Sequence, residues 1–141
     1  MARAMPQLDG ILETALYVDD LDRAVTFYRD VLGLTVLNSD ARFAAFDING
    51  RSVLLLFLRG ATLDTVHLPG GTIPPHDGHG PIHLAFAIST AALAQWEQRL
   101  AEQGIAIEGR TAWPRGGHSI YFRDADRHLV ELATPGVWAI Y

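Results

Sequence analysis

The sequence predicts an α+β fold in which two βαβββ modules pair into a curved, cavity-forming mixed sheet. Three observations carry this expectation. Residues 11–18, ILETALYV, form a strand-like run that leads into a helical pattern and then more strands, and residues 81–88, PIHLAFAI, begin the same order again. Residues 59–80 separate the halves with Gly60, Pro69, Gly70, Gly71, Pro74, Pro75, Gly78 and Gly80, a stretch too long for a tight turn. Polar residues stand at matching places in apolar strands: Glu13 and His83 in the two opening runs, and Glu131 within HLVELAT near the end.

The elements follow in order. Residues 1–10 read as a mobile leader. The run 11–18 puts Ile11, Glu13, Ala15 and Tyr17 on one side and Leu12, Thr14, Leu16 and Val18 on the other. Asp19 and Asp20 supply an N-cap region whose acids suit the positive end of a helix dipole. Leu21, Ala24, Val25, Tyr28 and Leu32 then recur at helical spacing, and Gly33 stops the helix. Strands are expected at 34–37, 42–48 and 52–58, the last two joined at Asn49-Gly50, residues that tolerate positive φ.

In the second half a strand is expected at 82–88. Thr90 caps a helix carrying Leu93, Trp96 and Leu100, and Gly104 ends it. Strands follow at 105–108, 118–123 and 128–133. The modules are thus 11–58 and 81–134, with 59–80 as linker and possible lid and 135–141 as a C-terminal tail. Each half alone leaves an open sheet with an uncovered apolar face; pairing the two buries those faces and makes a concave seam. Small residues flank the polar ones: Ala15 beside Glu13, Ala85 and Ala87 beside His83, Ala133 beside Glu131. They leave room for a ligand.

Bulk properties narrow the classes. The chain has 141 residues, 49% hydrophobic and 19% charged, as an ordinary globular domain has. A net charge of −5 gives no sign of a nucleic-acid surface. With no cysteine there is no disulfide or thiolate chemistry, which fits a reducing cytoplasm. No apolar run resembles a signal peptide or spans a bilayer, so no membrane association is expected.

The stretches LETALYVDDLDRAVTFYRDVLGL, GPIHLAFAI and YFRDADRHLVELAT resemble the vicinal oxygen chelate superfamily, which includes glyoxalase I, fosfomycin-resistance enzymes, bleomycin-resistance proteins and extradiol dioxygenases. The resemblance covers residues 11–134. It implies paired βαβββ modules, a divalent metal in the cavity and a homodimer. Glu13 matches a first-strand ligand position that is often His or Gln elsewhere, His83 the ligand opening the second module, and Glu131 the last-strand carboxylate. A fourth ligand, as in glyoxalase I, would come from 53–57, which reads VLLLF and offers none. Related chains also often have Gly near Arg127.

Two carboxylates and an imidazole suit Mn²⁺, Fe²⁺, Zn²⁺ or Ni²⁺, and Mg²⁺ also fits. In the superfamily the metal binds vicinal oxygens and stabilises an oxyanion or enolate, a Lewis-acid role. The expected catalytic residues are Glu13, Glu131 and His118, the last as acid or base. Tyr17, Phe46 and Arg115 are the expected substrate contacts, Arg115 for an anionic group. His67, His76 and His79 stand in the Gly/Pro-rich segment, where solvated histidines are common. The first expectation for function is a metal-dependent lyase, isomerase or transferase acting on a small oxygen-rich substrate. An extradiol-type dioxygenase is the second, and a bleomycin-resistance-type binder without catalysis the third.

Overall fold

The computed structural model describes residues 3–141. The expected leader thus falls partly outside the described residues, at Met1 and Ala2; from residue 3 to residue 12 the chain is exposed and carries no regular element.

Both βαβββ modules are present. The first comprises β1 (Glu13–Val18), α1 (Leu21–Thr26), β2 (Thr35–Ser39), β3 (Phe43–Ile48) and β4 (Ser52–Leu58). Between the modules lies a short hairpin of β5 (Val66–Leu68) and β6 (Gly71–Ile73). The second module comprises β7 (His83–Ala87), α2 (Leu93–Glu102), β8 (Gly109–Ala112), β9 (His118–Arg123) and β10 (Leu129–Ala133). The halves form two four-stranded sheets of equivalent order, β1-β4-β3-β2 and β7-β10-β9-β8. In each, the opening strand runs parallel to the closing one, β1 to β4 and β7 to β10, and the other pairs are antiparallel.

Local chemistry explains the elements and their departures from expectation. The Asp20 carboxylate caps α1 by accepting from the Arg23 N–H at 3.0 Å. The helix does not remain α to Leu32: Phe27–Val31 widens into a π-helical turn, closed by the Leu32 N–H on the Phe27 carbonyl. That turn brings Phe27 and Tyr28, adjacent in sequence, into the core together. The Asn49-Gly50 turn forms as expected, with φ of 53° and 66°. The strand expected at 105–108 is instead an irregular extended segment. Ile105 and Ile107 pack against the core, but the ladder to β9 begins only at Gly109, after the Glu108 N–H meets the Tyr121 carbonyl.

Each sheet turns one face inward. Leu16, Val18, Phe46, Leu54 and Leu56 from the first and Ile120, Phe122, Val130 and Leu132 from the second belong to one buried cluster, with Phe27, Tyr28 and Leu100 from the helical segments. Tyr28 ties the halves by donating from its hydroxyl to Asp124 Oδ2 at 2.6 Å. Burial first, and the Asp124 charge second, hold its phenol well above the ordinary tyrosine range.

His128 is a second tie and is fully buried. Its Nδ1 accepts from the Ile82 N–H at 2.8 Å, which leaves the proton on Nε2 to be donated to the Tyr17 carbonyl at 2.8 Å. One imidazole therefore joins β1 to the chain entering β7. The neighbouring Arg127 has φ of 67°, in the left-handed region that costs a non-glycine residue about 1 kcal/mol. Its side chain is exposed. Arg127→Gly is expected to raise stability by about 0.5–1 kcal/mol, read as a shift in urea midpoint without a change in slope.

Candidate functional site

With the odd-numbered residues of β1 facing away from the core, Glu13, Ala15 and Tyr17 share the outer face of the first sheet. The register continues that face across the strands. Tyr17 lies opposite Phe57 and Phe57 opposite Phe43; Ala15 lies opposite Leu55, then Ala45; Glu13 lies opposite Val53, then Asp47. An aromatic row, a row of smaller residues and a row with acids at both ends thus follow one another along the strands. Above them is a pocket of about 470 Å³ lined by Glu13, Ala15, Tyr17, Arg42, Phe43 and Leu55 together with Phe57, Ile73 and His76.

The segment 59–80 closes one end of this pocket. Thr62 holds His76 through two bonds: its carbonyl accepts the His76 N–H at 3.0 Å, and its hydroxyl donates to the His76 carbonyl at 2.5 Å. Arg59 pairs with Asp19 at 2.8 Å and donates to the carbonyls of Gly78 and Tyr17, each at 3.1 Å. So placed, His76 Nδ1 is 2.6 Å from the Tyr17 hydroxyl, and its ring sits edge-on to Phe57. Burial, and then the Asp77 charge, raise the Tyr17 phenol above its ordinary value. His79 pairs with Asp77 at 2.9 Å, and His67 is exposed on β5.

The outer face of the second sheet carries His83 and Glu131. His83 Nδ1 is 2.9 Å from the Leu129 carbonyl, so that nitrogen donates to the carbonyl and Nε2 is the one turned toward Glu131. Nε2 is 3.2 Å from Glu131 Oε1. The other carboxylate oxygen, Oε2, accepts from the Ser119 hydroxyl at 2.6 Å, and Ser119 Oγ accepts from the Trp113 indole N–H at 2.8 Å. Glu131 is 8% exposed, a burial such hydrogen bonds make tolerable for a carboxylate. The C-terminal tail folds back over this face: the Tyr141 hydroxyl donates to the carbonyls of Ile88 and Ala133, and the second pocket, about 400 Å³, includes His83, Glu131, Trp138, Ile140 and Tyr141. The tail turns where Gly117 meets Gly136. A Cβ on Gly117 would lie 2.5 Å from the Gly136 carbonyl carbon, so only glycine fits.

His83 and Glu131 therefore come together, and Glu13 does not join them within one chain. Among the described residues no group of three His, Cys, Asp or Glu converges on a point. The sheets share a core through their inner faces, so the outer faces look away from each other.

Other expected contacts move. Phe46 is fully buried on the core face against Tyr28, at a ring separation of 6.1 Å; it does not line the pocket, and Phe43 and Phe57 do. His118 is on the helix-facing side of β9, near Glu97 and Arg110, one residue out of phase with Glu131. Arg115 is exposed in the turn before β9, outside both pockets. Ser119, missed from sequence, is the β9 residue that reaches Glu131. The signal for it was parity: β9 pairs antiparallel with β10, with Tyr121 opposite Glu131, so residues 119 and 121 share its face.

The family model of the Glyoxalase/Bleomycin resistance protein/Dioxygenase superfamily matches residues 10–132. The chain belongs to this superfamily. Among curated glyoxalase-superfamily relatives, it is 31% identical to the metallothiol transferase FosB of Bacillus licheniformis over 130 residues, 92% of this chain and 77% of that protein. It is 32% identical to the FosB of Staphylococcus saprophyticus over 128 residues, 90% of this chain and 78% of that one. Among solved structures, a lactoylglutathione lyase from Agrobacterium tumefaciens superposes with a TM-score of 0.86 at 34% identity, covering 95% of this chain and 99% of the other. Membership of the glyoxalase superfamily, with these enzymes as relatives, supports a metal-dependent enzyme; no helix among the described residues is long and apolar enough to cross a membrane.

Proposed function

We propose that this chain catalyses a metal-dependent transferase or lyase reaction on a small oxygen-rich substrate, at a centre made by two copies: Glu13 from one, His83 and Glu131 from the other. The observation that carries the reading is the His83–Glu131 pair. A backbone carbonyl orients the imidazole so that Nε2 faces the carboxylate, and Ser119 fixes the other carboxylate oxygen. Outer hydrogen bonds of this kind orient ligands in metal centres. Glu13 occupies the equivalent opening strand of the other sheet, on an outer face of its own, so the third ligand comes from a second chain related by a two-fold axis. Exposed Ile11, Leu12, Trp138 and Ile140 supply apolar surface for that contact.

The ligand set carries two negative charges and one neutral nitrogen, which suits Mn²⁺, Fe²⁺, Zn²⁺ or Ni²⁺. When bound, the dication acts as a Lewis acid toward substrate oxygens. The chain's own groups hold that charge in place and narrow the cavity with Ile73 and His76, the latter held against the Tyr17 hydroxyl. The names of the relatives, a metallothiol transferase and a lactoylglutathione lyase, favour transfer or lyase chemistry over oxygenation.

Titration of Mn²⁺ into metal-free protein tests the reading. One ion per chain is expected, with affinity weakened at least ~100-fold in Glu13→Ala, His83→Ala and Glu131→Ala. Equal affinity in all four proteins would sink it.

A further inference from the structure

We infer that the first-sheet pocket binds an elongated aromatic carboxylate, its ring against the Tyr17–Phe57–Phe43 row and its charge on Arg42. The inference names the substrate class for the site proposed above and rests on that reading only for catalysis, not for binding. Three observations support it. Arg42 is half-buried at the pocket wall, and its guanidinium lies 5.6 Å from the Phe43 ring centroid and 5.8 Å from that of Phe57. None of the ion pairs among the described residues involves it. A guanidinium stacked on rings keeps its N–H edge free, and that edge matches a carboxylate in a two-pronged contact. It is also the one Lys or Arg side chain among the residues that line the pocket.

The aromatic row supplies the second part of the match. Phe43 and Phe57 have centroids 6.0 Å apart, and Tyr17 stacks on Phe57 at 6.1 Å with 28° between planes. Their register makes them direct cross-strand neighbours, so an aromatic row runs across three strands; Tyr17 and Phe57 are 8% and 9% exposed, and the half-buried Phe43 offers the pocket the most ring surface. Such a row favours a planar ring. The third part is length. Ala15 keeps the floor low between the aromatic row and Glu13, and Tyr17 is four positions along the strand from Glu13, roughly 13 Å of extended chain. A ligand that touches Arg42 and also presents oxygen toward Glu13 is therefore elongated. The cavity of about 470 Å³ is within the ordinary range for small-molecule sites.

Calorimetric titration of metal-free protein with cinnamate, cinnamamide and acetate tests this, because the amide removes the charge and acetate removes the ring. Cinnamate is expected to bind at least ~10-fold more tightly than either. Arg42→Gln is expected to remove that preference, read as the ratio of cinnamate to cinnamamide affinity within each protein, and Arg42→Lys to recover only part of it. Amide-resonance mapping by NMR is expected to show cinnamate shifts at β1, β3 and β4. Equal binding of cinnamamide or acetate, an Arg42→Gln protein that behaves as wild type, shifts confined to the second sheet, or no binding by any probe at millimolar concentration would each overturn the inference. The assay uses no metal, so loss of the proposed metal centre and loss of the acid site are read separately.

Discussion

Replacing His128 with Ala is expected to lower unfolding stability by roughly 3–5 kcal/mol, the sum of a lost side-chain volume and two stranded backbone groups. The imidazole is fully buried and satisfies the Ile82 N–H with one nitrogen and the Tyr17 carbonyl with the other. The measurement is a denaturant midpoint. His128→Gln, which keeps one donor and one acceptor, is expected to recover part of the loss. A change below about 1 kcal/mol in His128→Ala, the ordinary effect of a surface substitution, would mean that the seam is held elsewhere, for example by the Tyr28–Asp124 bond.

The second large effect is complementation between two dead variants. Glu13→Ala and His83→Ala should each fail to bind Mn²⁺ alone. Co-refolded in equal amounts, they are expected to recover about a quarter of the wild-type sites, because half of randomly paired dimers are mixed and each mixed dimer holds one intact centre out of two. A centre built within a single chain predicts no recovery at all, since every chain then lacks a ligand. The two arrangements therefore differ as presence against absence of bound metal, independent of any assay for turnover.

Much of the architecture was legible because the information was local and periodic. Leu16 and Val18 alternate with Glu13, Ala15 and Tyr17, and that alternation alone sends the small and acidic residues of β1 to the outer face. In β3 it was ambiguous. FAAFDI carries an aromatic residue on each side, and nothing within the strand says whether Phe43 or Phe46 faces outward. Register resolves it: Asp47 lies opposite Val53 and Val53 opposite Glu13, so the odd-numbered residues of β3 share the outer face. The same slip of one residue separates His118 from Ser119. The irregular course of 105–108 was hidden for a different reason. Ile105 and Ile107 have strand-like alternation, but a strand needs a backbone partner as well as a buried face, and pattern reports only the second. The outward aspect of the two sheets was beyond reach of any pattern, because it depends on how the halves share their core.

The hydrogen-bond chain Trp113–Ser119–Glu131 has a practical consequence. The indole N–H donates to the same hydroxyl oxygen whose proton is held by the carboxylate. Any change of charge at Glu131 is felt at the indole through a single intervening atom. Trp113 is thereby an intrinsic fluorophore joined to the carboxylate, and in a protein with Trp96→Phe and Trp138→Phe its emission is expected to report occupancy at Glu131.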